Sequence, residues 1–282
     1  MGQELLNRGV IPHGTIWGAT ALLHKKYHKL LVKTHLDFIN AGAEVIVTNS
    51  FGSRKRRLIE NKLGHKFNEL NKLAGKLARE AVKKSRKNVL IAGSLPPQNF
   101  TYFADLGKDL KFIKSSFKAQ AKCLCPYIDF FYLDVMSSLK ECQIAINSIK
   151  SFKKEFLLGI HIRKGGKLPS GEKLLTVIRK VEKYKPIGII VSCVSIEDVA
   201  EVFKDLKKIK LPYGFKINAF EHIPAGWKPD SNNPKVQLGK RDDLTPLKFA
   251  NTCIKFNKMG ANIIGGCCEI TPSHIKKLKT LI

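Results

Sequence analysis

The chain has 282 residues, 44% of them hydrophobic, which is enough to bury one barrel-sized core or two smaller ones. Its 50 Lys and Arg against 23 Asp and Glu leave a formal net charge of +27, but the distribution argues against specific nucleic-acid binding. Lysines alternate with apolar positions in every expected helix, as in Lys204-Asp205-Leu206-Lys207-Lys208-Ile209-Lys210, and the densest basic cluster, Ser53-Arg54-Lys55-Arg56-Arg57, holds no aromatic residue for base stacking. No apolar run reaches the roughly 18 to 20 residues that a membrane helix needs. No signal-like segment opens the chain. Seven cysteines without a secreted disulfide spacing imply a reducing cytoplasm.

In chain order, Leu30, Leu31, Phe38 and Ile39 give helical spacing over 27–41, and Gly42 ends the run. A strand is expected at 43–49, a helix at about 66–86, and a strand at 88–94 that Leu95-Pro96-Pro97 breaks. Further helices are expected near 109–125, 137–150 and 171–184, separated by strands at 127–134 and 155–162. The apolar strand 187–192 leads to Cys193, and Ser195-Ile196-Glu197-Asp198 opens a capped helix running to about 208. Another strand covers 213–218. Residues 219–244 show little periodicity and read as a long excursion. Thr245-Pro246 starts the last long helix, which ends at Gly260 before the strand at 262–264. Thr271 then reads as a helix N-cap with Pro272 in the first turn.

Seven strands that alternate with helices imply a parallel sheet. A (βα)8 barrel fits best, and the joint Asn40-Ala41-Gly42-Ala43-Glu44-Val45-Ile46 is echoed by Lys258-Met259-Gly260-Ala261-Asn262-Ile263-Ile264. A doubly wound open sheet is the alternative, weakened by the lack of a Gly-x-Gly-x-x-Gly turn. The expectation is one domain, 1–282. The eighth strand would have to lie at or before residue 1, where Met1-Gly2-Gln3-Glu4 is too short and too polar, so the first strand is expected to be truncated or missing.

Barrel enzymes place their chemistry at the C-terminal strand ends. Those ends carry Thr48, Asn49, Ser94, Asp134, His161, Cys193, Asn218, Cys267 and Cys268. Cys123, Cys125, Cys142 and Cys253 fall on helices and are expected to be core or surface residues. In Gly265-Gly266-Cys267-Cys268 the glycines free the backbone to turn, so two adjacent thiols can reach one centre. Together with Cys193 they suggest a zinc site with one position left open, since structural zinc normally takes four protein ligands. The competing reading is three small buried side chains.

These residues carry a resemblance. The late Gly-Gly-Cys-Cys turn with its Thr-Pro helix start, together with the earlier Cys193, resembles the signature of the homocysteine S-methyltransferase family. Supporting matches are His35 through Ala43 leading to Thr48-Asn49-Ser50-Phe51, then Ala92-Gly93-Ser94-Leu95-Pro96-Pro97, and Arg241-Asp242-Asp243-Leu244-Thr245-Pro246. The resemblance implies a zinc-dependent barrel enzyme that moves a methyl group from a sulfonium or ammonium donor (S-methylmethionine, S-adenosylmethionine or a betaine) to homocysteine, forming methionine. It implies Cys193, Cys267 and Cys268 as ligands of one zinc ion, and Asp134, where the family has Glu, as the partner of the homocysteine amino group. Thr48, Asn49, Ser94 and Asn218 would be polar contacts near the substrate. Phe51, Tyr102 or Trp227 could face a cationic donor. The family also has an Asp-Gly pair just before the segment matching Met1-Gly2-Gln3-Glu4-Leu5. Its absence predicts weakened substrate binding or a start further upstream. Two other readings are a homocysteine-activating module served by a separate corrinoid protein, and a basic nucleic-acid-binding protein with structural cysteines.

Overall fold

The computed structural model describes residues 1–228 and 232–282. Its seven strands are β1 (Val45–Val47), β2 (Leu90–Leu95), β3 (Phe130–Met136), β4 (Phe156–Ile160), β5 (Gly188–Val194), β6 (Tyr213–Ile217) and β7 (Ile263–Gly266). They pair in that order, all in parallel, each with its chain neighbour. The helices between them form the outer layer. All seven expected strands are present, and the sheet curls as an unclosed barrel, because β1 and β7 have no partner between them. The opening of the chain is helical, over Gly2–Asn7.

Alternation along the strands produces two layers of core. Phe131, Leu133, Ile189, Val191, Phe215 and Ile217 join the large core beneath the helices. Ala92, Phe130, Tyr132, Leu157 and Ile190 pack together inside the curl. A third cluster gathers Tyr102, Val135 and Cys193 with Phe51, Ile223, Trp227, Cys267 and Cys268. A cavity of about 710 Å³ runs up the interior and along the gap between β1 and β7, and it is lined by the cysteine trio at one end.

Most expected helices occur, including His28–Asn40, Phe67–Ser85, Leu110–Leu124, Ile196–Leu206 and Pro246–Lys258. Ser195 caps its helix through the reciprocal bonds expected with Asp198. Cys125 departs from expectation: it opens a 3-10 turn, Cys125–Tyr127, because Pro126 follows it and cannot donate to a continuing helix. The excursion at 219–244 is largely irregular, with one short helix at Pro234–Leu238. Among the described residues no helix is long and apolar enough to cross a membrane.

Tight strand packing holds the end of the sheet that carries the cysteine pair. A Cβ added at Gly214 in β6 would lie 1.7 Å from the Ile263 carbonyl oxygen of β7, and a backbone atom has no rotamer by which to yield. Gly214→Ala is therefore expected to destabilise the protein by about 3 kcal/mol, read as a shift of the urea midpoint. Wild-type stability would show that β6 and β7 separate at no cost.

Candidate metal and substrate site

Two strand irregularities build the site. In β3 the pairing register shifts between Leu133 and Met136, and in β5 between Ser192 and Val194. Each shift contains a residue with left-handed backbone, Val135 at φ 66° and Cys193 at φ 58°. Such a bulge inserts one residue, so two successive side chains can face the same side. Leu133 and Met136 both pack outward, as do Val191 and Val194. Asp134 and Val135, and likewise Ser192 and Cys193, are left to the interior. A left-handed Val is costly, because its branched Cβ crowds the backbone there. Tyr102 (φ 67°) and Glu269 (φ 63°) share this conformation beside the same cavity.

The Sγ atoms of Cys193, Cys267 and Cys268 lie within 4.8 Å of one another. The Tyr102 hydroxyl is 3.1 Å from Cys193 Sγ, and Asn218 Nδ2 donates to the same sulfur at 3.8 Å. Hydrogen bonds from Cys193 and Cys268 hold the Cys267 thiol well below its ordinary pKa, while sharing that proton network drives Cys193 and Cys268 upward.

Beneath the sulfurs, a buried polar network crosses the barrel. Asp134 accepts from Ser192 Oγ at 3.1 Å and Ser94 Oγ at 3.4 Å, and the Lys216 ammonium sits 3.3 Å from its Oδ2. The Tyr132 hydroxyl bonds Ser192, and Lys216 lies 4.6 Å above the Tyr132 ring. Burial raises the Asp134 pKa against the opposing pull of Lys216. Burial disfavours the Lys216 charge, but Asp134 and Tyr132 outweigh it and push Lys216 upward.

The other expected site residues lie at the same rim with local bonds. Thr48 Oγ1 pairs with Ser50 Oγ at 2.9 Å and accepts from the Ser94 amide; Asn49 Nδ2 donates to Gly18 O at 2.8 Å; Asn218 Oδ1 accepts from the Phe220 amide. Thr48, Asn49, Ser94 and Asp134 line the cavity. Phe51, Tyr102 and Trp227 converge on the cysteines, with the Tyr102 and Trp227 rings 5.9 Å apart. The His161 ring packs 4.5 Å from that of Tyr102, while His35 is buried against the same cavity, and burial depresses it to about 3.

Two cavity residues were missed in the sequence. Lys216 on β6 stands two positions before Asn218, which directly follows that strand, so alternation over the expected strand 213–218 put both on one face. Arg54 belonged to the basic cluster weighed only for nucleic-acid binding, and it is buried.

A family model described as homocysteine S-methyltransferase matches residues 1–282. The chain belongs to the homocysteine S-methyltransferase family. It is 23% identical to homocysteine S-methyltransferase 2 of Saccharomyces cerevisiae, over 100% of this chain and 91% of that protein. It is 25% identical to the homocysteine S-methyltransferase of Escherichia coli, over 99% of this chain and 92% of that one. The crystal structure of the metallated form of the Escherichia coli homocysteine methyltransferase MmuM superposes with a TM-score of 0.82 at 20% identity, covering 100% of this chain and 94% of that chain. Its apo form gives 0.73 at 19%, covering 99% and 92%. The family thus includes this chain among the methyltransferases, and the structural likeness confirms the barrel architecture.

Removing the Asp134 carboxylate alone strands a buried ammonium. Asp134→Ala is expected to cost about 3–5 kcal/mol in unfolding free energy, with much of that loss recovered in Asp134→Ala/Lys216→Met. Equal stability of the single and double variants would mean the two charges do not interact.

Proposed function

We propose that this protein, acting as one domain over 1–282, transfers a methyl group from a sulfonium or ammonium donor to the sulfur of homocysteine, forming methionine, with zinc as its metal. The observation that carries the reading is the convergence of three thiols within 4.8 Å at the open end of an interior cavity. Their chemistry fits the ion: zinc bonds thiolate sulfur at about 2.3 Å in tetrahedral geometry, so three ligands of one ion stand within about 4 Å of each other. Hydrogen bonds from its two neighbours lower the Cys267 pKa, the direction a thiolate ligand requires. Three protein sulfurs leave the fourth position for a reactant, as in catalytic sites. Held by Cys193, Cys267 and Cys268, such an ion would acidify a homocysteine thiol at that position and leave its sulfur electron-rich.

The chain's own residues supply alignment, which alone can remove much of the barrier between two reactants. Cys193, Cys267 and Cys268 fix the acceptor end. The Tyr102 hydroxyl and Asn218 amide direct the Cys193 sulfur. Asp134, supported by Ser94 and Ser192, offers a carboxylate to the homocysteine amino group, and Lys216 balances its charge when the site is empty of substrate. Phe51, Tyr102 and Trp227 present ring faces and edges around the sulfurs, a setting that attracts a methylated cation. The homocysteine sulfur forms the new S–CH₃ bond, and the pair of the broken bond stays on the donor's sulfur or nitrogen, which leaves without its positive charge. S-Methylmethionine, S-adenosylmethionine and a betaine all satisfy that balance.

Protein purified under reducing conditions without chelator is expected to hold one zinc per chain by metal analysis, and Cys267→Ala to lose it. Methionine should form from homocysteine with at least one of those donors, at a rate reduced by 10³-fold or more, as an order of magnitude, on loss of the metal. Metal-free, freshly reduced protein that still forms methionine at the full rate would remove zinc from the reading.

A further inference from the structure

Arg54 and Lys216 both line the interior cavity, as does the buried Arg57, and Arg54 and Lys216 differ in how they are matched. Lys216 has the Asp134 carboxylate 3.3 Å away. Arg54 is 2% exposed and lines the cavity, yet it forms no ion pair among the described residues. Its Nη1 donates to Thr101 Oγ1 at 2.9 Å, and its Nε is buried without a partner. The carboxylates that act on it do so only through space. Of these, Glu60 is exposed, and burial pushes Glu141 up to about 8, which leaves its carboxyl largely protonated near neutral pH. A buried guanidinium with most of its hydrogen-bonding capacity unspent is costly, and structures keep such groups where an anion completes them.

The location narrows the anion. The Arg54 guanidinium lies 5.7 Å from the Phe51 ring centroid, and Phe51 packs in the cluster that holds Cys267 and Cys268. Thr101, which Arg54 contacts, precedes Tyr102, whose hydroxyl touches Cys193 Sγ. Phe51 and Tyr102 thus stand beside Arg54 on one side and the sulfurs on the other, and all of them line one cavity. A planar fork of N–H donors lining that cavity matches a carboxylate better than a point charge would.

We infer that Arg54 is the anchor for a carboxylate group of a bound reactant, supplied either by homocysteine or by the methyl donor. This rests on the reading of the cavity as the place where both reactants meet.

The test is calorimetric titration of the zinc-loaded full chain with two matched pairs. One is homocysteine against 3-amino-1-propanethiol, and the other is S-methylmethionine against (3-aminopropyl)dimethylsulfonium; within each pair only the carboxylate is removed. The wild type should prefer the carboxylate-bearing member of one pair by about tenfold or more. Arg54→Gln should erase that preference, and the pair in which it vanishes names the reactant. Arg54→Lys, which keeps the charge but loses the fork, should retain only part of it. Without ligand, Arg54→Gln should melt no lower than wild type, since it removes an unmatched buried charge. A wild type that discriminates in neither pair overturns the inference, as does an Arg54→Gln protein that keeps its preference or melts markedly lower. Methyl transfer to homocysteine is scored separately: its failure with the Arg54-dependent preference intact would sink the methyltransferase reading and leave the carboxylate anchor standing.

Discussion

Strand pairing and sulfur placement make opposite demands on β5. Parallel pairing wants every residue extended, which sends alternate side chains to opposite faces. A thiol at position 193 would then follow Val191 outward into the core beneath the helices. The left-handed turn at Cys193 breaks this alternation, and the register shift against β6 absorbs the extra residue. The sulfur is thereby delivered to the mouth of the barrel, where the Gly-Gly turn after β7 brings Cys267 and Cys268 to meet it. β3 repeats the device at Val135, so that Asp134 stays inward while the strand continues to pack outward through Met136. Local strain at two bulges is thus what allows one sheet to serve as both scaffold and site.

Charge inside the curl follows from the same geometry. Interior positions of a small barrel are normally apolar, and the lower layer here conforms, with Ala92, Phe130, Leu157 and Ile190. Polar residues enter only in the layer above, where Ser94, Asp134, Ser192 and Lys216 satisfy one another. The polar layer lies between the apolar floor and the sulfurs, so substrate polarity is met by groups already held in place. Preorganisation of this kind spares a reactant the cost of arranging its own partners.

Much of this was legible in the chain itself. Each strand is an apolar run bounded by turn-forming residues, so all seven were readable, and Gly265-Gly266-Cys267-Cys268 is an unusual enough pairing to point at a common centre. Cys193 was legible only as a strand end; its bulge was not, because a register shift depends on the neighbouring strand rather than on local composition. Lys216 and Arg54 were missed for a related reason. A lysine or arginine in a chain so rich in both looks solvated, and nothing adjacent in sequence reveals that Lys216 faces Asp134 across the barrel or that Arg54 folds beneath Phe51. Cys125 lies one residue past the end of the helix expected to hold it, a boundary effect of the proline that follows.

The gap between β1 and β7 leaves two sheet edges with no strand partner on that side among the described residues. Exposed edges recruit strands from other molecules, and long flat ones seed aggregates. Here β1 has only three residues, and the four of β7 end in two glycines. Lys279 reaches across to Glu44 at 3.2 Å, laying a charged pair over the lower end of the opening. Edges this short give an incoming strand little to zip along, and the strong positive charge of every copy opposes its approach. The excess of lysine thus works against association at the open seam of the barrel, by like-charge repulsion between copies.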